Sequence, residues 1–151
     1  KEVAKSLDFN LGMIIVMALA LGTAMINTGL ADYVAWGIIG ITKPFGLIGI
    51  MIGIYLVTNI LAAYITTPAA AAIIFPIALT TAVNLNVDPM PFVLITAFAS
   101  AATFITPHGY QTNLMVYGPG GYKFTDFMRI GLPLNIIFMI VAVTILHIVY
   151  F

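Results

Sequence analysis

The sequence has no cysteine and very little charge. Five basic and five acidic side chains, with two histidines, are spread over 151 residues. Without cysteine there are no disulfides and no thiolate metal sites, and the redox compartment stays open. Charged residues make up 7% of the chain and hydrophobic ones 62%, where a soluble domain carries roughly a quarter charged. Long apolar runs with so little charge mark an all-α integral membrane protein, solvated by membrane lipid in a multi-pass arrangement in the cell membrane. No basic tract is present to meet nucleic acid, so no such partner is expected. The carboxylates, Glu2, Asp8, Asp32, Asp88 and Asp126, all fall at expected helix ends or turns. That argues against a carboxylate proton relay inside the apolar segments, and against paired-carboxylate catalysis. With no Ser/His/Asp or metal constellation either, the chain does not read as an enzyme.

At about 20 residues per span, the length allows five or six crossings at most. Residues 1–5 form an amphipathic lead-in without a cleavage pattern. Residues 11–26 are a first apolar run rich in small side chains, which let helices approach closely. It ends at Asn27, Thr28 and Gly29, and residues 30–41 form a second run. Asp32 sits near its start, where the helix dipole favours a carboxylate, and Tyr33 and Trp36 suit an interfacial belt. Lys43 and Pro44 mark a turn near water.

Residues 45–83 are almost uncharged. As one helix they would measure roughly 58 Å, about twice the hydrocarbon thickness. The stretch must fold back or break, at Asn59 or within YITTP (residues 64–68), because the residue before a proline is pushed out of helical geometry. It reads either as two full spans or as a re-entrant hairpin with Thr66, Thr67 and Pro68 at its tip, and the hairpin is favoured. After a polar turn at residues 84–89, residues 91–106 are expected to form a helix leading into TPHGYQTN (residues 106–113). Pro107 removes a donor and Gly109 relaxes the chain, so the helix should fail there. Residues 122–129 read as an interfacial segment. Residues 131–151 read as a last span with Pro133 in its first turn, and His147 near the headgroups.

A broken helix with hydroxyls and amides at the break is how secondary transporters build ion and substrate sites. The apolar interior offers neutral oxygens: Thr66, Thr67, Thr103, Thr106, Gln111, Thr112 and Asn113. Such oxygens, with free backbone carbonyls, hold sodium, while half-helix N-termini hold anions. The expected substrate-binding residues are Thr66, Thr67, Gly109, Thr112 and Asn113. The expected sodium ligands are Thr66, Thr106 and Asn113. Both breaks share an Ile-Thr-(Thr)-Pro pattern, so two similar breaks serving one site is the sharper expectation. Isolated threonines are instead expected to bond to the preceding helical turn. His108 is the titratable group at a break and the one candidate for proton coupling.

The segment TPHGYQTNLMVYGPGGYKFTDFMRIGLPLN (residues 106–135) resembles the divalent anion:sodium symporter family of the ion transporter superfamily. It is similar to the branch that carries cytosolic regulatory domains of the potassium-channel type. ALGTAMINTGLA (20–31) and ITTPAAAAIIFPIA (65–78) add to the likeness. The resemblance covers nearly the whole chain and implies the C-terminal one of two inverted repeats. A hairpin tip near residues 64–69 and a helix break near 106–113 would then form the site. Family members commonly carry Ser-Asn-Thr or Thr-Asn-Asn at the tip. Thr66 takes the first position, and Thr67 and Pro68 depart from the pattern. Asn113 retains the asparagine of the family's Pro-Pro-Asn loop, and His108 stands where an apolar residue is usual. The resemblance implies sodium-coupled symport of a divalent anion such as sulfate or a dicarboxylate. It also implies a homodimer of full-length chains and an N-terminal repeat carrying the other sodium site. The rival readings are a non-transporting helical subunit or channel fragment, in which the breaks are only kinks, and a proton-coupled anion transporter using His108.

Overall fold

The structure, a computed structural model, describes residues 9–151. The lead-in at 1–5, with Glu2 and Asp8, lies outside the described residues. The described chain forms α1 (Phe9–Asn27), α2 (Leu30–Thr42), α3 (Gly46–Tyr64), α4 (Thr67–Leu85), α5 (Met90–Ala101), α6 (Gln111–Tyr117) and α7 (Phe124–Tyr150). A 3-10 turn, Lys43–Phe45, joins α2 to α3. The chain leaves it through Gly46 at φ 67° and ψ −157°, a conformation open only to glycine. Among the described residues, three segments are long and apolar enough to cross a membrane: Leu30–Tyr64, Thr67–Leu85 and Phe124–Tyr150.

The long apolar stretch folds back on itself at Ile65 and Thr66. Helices α3 and α4 have 19 residues each, about 28 Å at 1.5 Å per residue, and they pack against one another. The turn is made by local chemistry. Ile65 N–H donates to Leu61 O at 3.0 Å and closes α3. Thr66 adopts extended geometry, and its hydroxyl accepts from Ala69 N–H at 3.4 Å as the N-cap of α4. Pro68 follows in the first turn, where a missing donor costs nothing. Asn59, the other candidate for the break, does not interrupt α3. It is buried inside the helix and caps a different one.

Helix α4 packs on α1, α2, α3 and α5, while α3 also meets α2, α5 and α7. The seams are lined by alanine: Ala31, Ala35, Ala62, Ala70, Ala78, Ala82 and Ala99 are all buried. Small side chains at crossings let backbones approach, which is the main source of helix association where lipid competes for apolar surface. Thr58, Thr81 and Thr96 donate to the carbonyl four residues back at 2.7, 2.7 and 2.9 Å, so these buried hydroxyls are spent within their own helices. Asp32 lies in the first turn of α2 as expected.

Two expected boundaries move. Helix α5 stops at Ala101, not at 106, and the non-helical stretch runs over residues 102–110. Gln111, Thr112 and Asn113, expected in the break, are the first residues of α6. The final helix begins at Phe124, so residues 124–129 belong to it and Pro133 lies well inside it rather than in its first turn. Its early start is capped: Lys123 N–H donates to Asp126 Oδ2 at 2.8 Å, and Asp126 N–H donates to Lys123 O at 3.0 Å.

Candidate functional site

The two Ile-Thr-(Thr)-Pro breaks meet. Thr106 Oγ1 donates to Ala63 O at 3.0 Å, an orphan carbonyl of the last turn of α3. The same hydroxyl accepts from Gly109 N–H at 3.2 Å. Thr67 Oγ1, at the start of α4, donates to Gly109 O at 3.3 Å. Residues 63–67 and 106–109 are thereby tied across some forty positions of sequence.

Steric room explains why glycine stands at the crossing. A Cβ on Gly109 would lie 2.9 Å from Thr103 Cβ, 3.1 Å from Thr106 Oγ1 and 3.2 Å from Ala62 O. From the other side α7 presses in: a Cβ on Gly131 would sit 2.2 Å from Phe104 O and 2.9 Å from Ile105 Cα. The break is clamped between the end of α3 and the first half of α7.

Asn113 closes the break from its far end. Its Nδ2 donates to Thr103 O and Thr106 O, both at 3.4 Å, which turns the side-chain amide back onto the loop. Its carbonyl oxygen is left on the opposite side of the amide. Asn113 also lines an open cleft of about 990 Å³ with Phe104, Tyr122, Asp126, Arg129 and Pro133. Thr103 is 1% exposed, and its hydroxyl is buried without a hydrogen-bond partner. An unpaired buried hydroxyl costs about 1–3 kcal/mol, so it marks a place where a further ligand would be stabilising. Thr66 and Thr112 are exposed at the mouths of the two breaks. His108 is exposed as well, with its ring 6.5 Å from Tyr117. Tyr117 in turn stacks at 5.9 Å on Phe127 of α7.

Chemically, the arrangement offers neutral oxygens. Among the described residues no group of three or more His, Asp or Glu side chains is placed to hold a metal ion. Thr106 is already engaged as both donor and acceptor. The oxygens that remain are the Thr103 hydroxyl, the Asn113 side-chain carbonyl and Gly109 O, whose hydrogen bond from Thr67 is long. Hydroxyl and carbonyl oxygens of this kind coordinate alkali cations at discontinuous helices.

Sequence reasoning took Asn59 only as a place where the long stretch could break and gave no role to Tyr55 and Asn135, yet all three shape the break between α5 and α6. Asn59 Nδ2 donates to Ala99 O at 3.0 Å and Ala102 O at 2.9 Å. Asn135 Nδ2 donates to Asn59 Oδ1 at 2.5 Å, and Tyr55 O–H donates to Asn135 Oδ1 at 2.5 Å. The available signal was polar side chains four apart on one face of a wholly apolar helix.

The model of the citrate transporter family matches residues 1–151. The chain is 36% identical over 130 residues to an uncharacterized transporter of Synechocystis sp., covering 86% of this chain and 21% of that protein. It is 36% identical over 142 residues to the probable sodium/sulfate cotransporter 3 of Chlamydomonas reinhardtii, covering 93% of this chain and 16% of that protein. Identity to the sodium-dependent dicarboxylate transporter SdcS of Staphylococcus saprophyticus is 26% over 149 residues, 97% of this chain and 28% of that protein. The chain thus spans between about a sixth and just over a quarter of the length of these relatives. A chain that is helical with three membrane-length apolar segments among its described residues, and that is matched from end to end, belongs to the citrate transporter family and is a multi-pass membrane protein.

Proposed function

We propose that this chain is the C-terminal repeat of a sodium-coupled symporter that moves a divalent anion by alternating access. The observation that carries the reading is the junction of the two breaks, with Thr67 on Gly109 O and Thr106 on Ala63 O. Two interruptions that meet bring backbone and hydroxyl oxygens of distant segments into one small volume. Sodium would be held there by oxygens of the set Thr66, Asn113 and Thr106, the last through the one lone pair its bonds to Ala63 O and Gly109 N–H leave over, with the unpaired Thr103 hydroxyl and Gly109 O beside them. The anion would meet Thr66, Thr67, Gly109, Thr112 and Asn113 at the mouths of the breaks. Helix α4 points its N-terminus into this region, and its dipole favours negative charge. Bound sodium supplies the full positive charge that a divalent anion requires among neutral side chains.

In this reading α3 and α4 form a re-entrant hairpin with its tip at Thr66, and an N-terminal repeat completes the site in a homodimer of full-length chains. Sulfate is favoured over a dicarboxylate. Relatives named for sodium/sulfate cotransport align at 35–36% identity, against 26% for the one named for dicarboxylate. The test is uptake of radiolabelled sulfate and of succinate into proteoliposomes holding the full-length protein. Imposed sodium gradients are compared with imposed proton gradients. Sulfate accumulation driven by sodium is expected. Accumulation driven by protons alone, or equal uptake without any gradient, would overturn the coupling.

A further inference from the structure

We propose that Tyr55, Asn135 and Asn59 form a one-way donor relay whose task is to fix where α5 ends, and so to set the ion affinity of the break without touching the ion. The first half stands on hydrogen-bond geometry alone. The second half rests on the reading above, that the break binds sodium.

Three features argue for a relay rather than scattered buried polar groups. Each link orients the next. The Tyr55 hydroxyl donates to Asn135 Oδ1, which turns the Asn135 amide nitrogen toward Asn59 Oδ1. That contact in turn aims both Asn59 amide hydrogens at Ala99 O and Ala102 O. The chain also ends on carbonyls that need it. The last carbonyls of any helix lack intrahelical partners. Those of α5 lie in protein, with Ala99 at 0% and Ala102 at 1% exposure, where water cannot replace a missing donor; Ala102 O also accepts from Phe104 N–H at 3.0 Å, so Ala99 O is the carbonyl that depends on Asn59 alone. Finally, α3 acts as a ruler. Tyr55 and Asn59 are four apart on one of its faces, and the carbonyls of Ala62 and Ala63, one turn further on, border Gly109 and accept from Thr106. One face of α3 therefore holds α7 through Asn135, the end of α5 through Asn59, and the break through Ala63.

The consequence follows from helix geometry. With Ala99 O and Ala102 O engaged by a side chain, the helix gains nothing by winding on through Thr103. Without Asn59, Ala99 O is free to accept from Thr103 N–H, and Ala102 O can exchange its bond from Phe104 N–H for a helical one from Thr106 N–H. One further turn would advance the chain by about 5.4 Å, which takes Thr103 and Thr106 away from Gly109. Tyr55, Asn59 and Asn135 are positioning residues in this account.

The experiment uses the full-length protein with Tyr55→Phe, a nearly isosteric change that removes one donor, and Asn135→Leu, which removes the middle of the relay. Thr81→Val serves as control, since it deletes a buried hydroxyl bonded only within α4. Hydrogen exchange is followed at amides 102–106 and, as reference, at 70–82. Sulfate uptake is titrated with sodium in parallel. Asn135→Leu is expected to speed exchange at 102–106 by about tenfold or more, with 70–82 unchanged. The sodium concentration for half-maximal uptake is expected to rise about threefold in Tyr55→Phe and about tenfold in Asn135→Leu. Saturating rates should stay within about twofold, because the fold itself is kept. Unchanged exchange at 102–106, or an equal rise at 70–82, would overturn the relay. So would a lower saturating rate at constant half-saturation, which is the mark of fewer folded molecules. If the break loosens as expected but wild-type uptake ignores sodium, the relay stands and the sodium reading falls. Should Asn135→Leu fail to fold, Tyr55→Phe decides the matter by the same two readouts.

Discussion

The two breaks carry nearly the same tripeptide and are built in opposite ways. At the α3–α4 turn, two residues reverse the chain, and the bonds that shape the reversal reach no further than four positions: Ile65 to Leu61, Ala69 to Thr66 and Ala70 to Thr66; Ala63 and Thr67 beside it add the two bonds to the other break. Its residues Tyr64, Ile65 and Thr66 are exposed. The break between α5 and α6 is nine residues long, and Ala102, Thr103, Thr106, Pro107 and Gly109 within it are buried. Its carbonyls are capped by amides from afar, Asn59 at a separation of 40 and 43 residues and Asn113 at 10 and 7. A self-capped turn owes its shape to its own residues, whereas a break held by distant side chains reports on the helices that hold it. The tip is thus a locally built turn, and the break a floor fixed by its neighbours.

The largest effects are expected where the fixed floor is wedged open. Gly131→Leu places a side chain where the Phe104 carbonyl lies and should cost about 3 kcal/mol. Gly109→Ala, at the contact with Thr103 and Ala62 O, should cost about 1–3 kcal/mol. Thermal unfolding in detergent would measure both. Gly118→Ala is the reference, because a Cβ there meets nothing within 4 Å. Equal melting temperatures for all three variants would show that the floor is not clamped.

A smaller effect is expected at the tip. Thr66→Ala removes one N-cap bond, worth about 1 kcal/mol, and should leave hydrogen exchange in the 102–106 segment unchanged. Single cysteines from 62 to 70 in the full-length protein should label from one side of the membrane, with sulfate protecting the tip. Labelling that demands two complete crossings around Pro68 would remove the re-entrant hairpin.

The contrast also explains what could be read from the sequence. The α3–α4 turn was legible because its cause is local: a threonine N-cap, a proline in the first helical turn and an apolar run too long for one span. The start of the second break was misplaced by about one turn for the opposite reason. Nothing between residues 91 and 106 tells α5 to stop at Ala101; the instruction comes from Asn59, on another helix. Likewise Gly131 looked like the ordinary start of a span, and its contact with Phe104 exists only once α7 packs on α5. The threonines divide along the same line. Thr58, Thr81 and Thr96 do what lone helical threonines do, while Thr67 and Thr106 bond across the fold.

The smallest effect belongs to His108. It is exposed, and no hydrogen bond ties it into the knot of residues 63–67 and 106–109. His108→Gln should change stability by less than about 0.5 kcal/mol and leave the pH profile of uptake as it was. A lost pH dependence with intact substrate binding would instead make this histidine the coupling site and the protein a proton symporter.

Under the proposed function, the locally built tip and the fixed floor share one sodium-dependent anion site. Its most direct test is sulfate binding to the purified full-length protein as a function of sodium, for wild type, Asn113→Ala and Thr66→Ala. Because coupling between two bound ligands is reciprocal, removing a shared oxygen should weaken sodium and sulfate together, by about 1–3 kcal/mol for an unmade buried polar contact. The account predicts that wild-type binding strengthens with sodium and that both variants shift this dependence in the same direction. Wild-type binding indifferent to sodium, or two variants with unaltered sodium dependence, would contradict it.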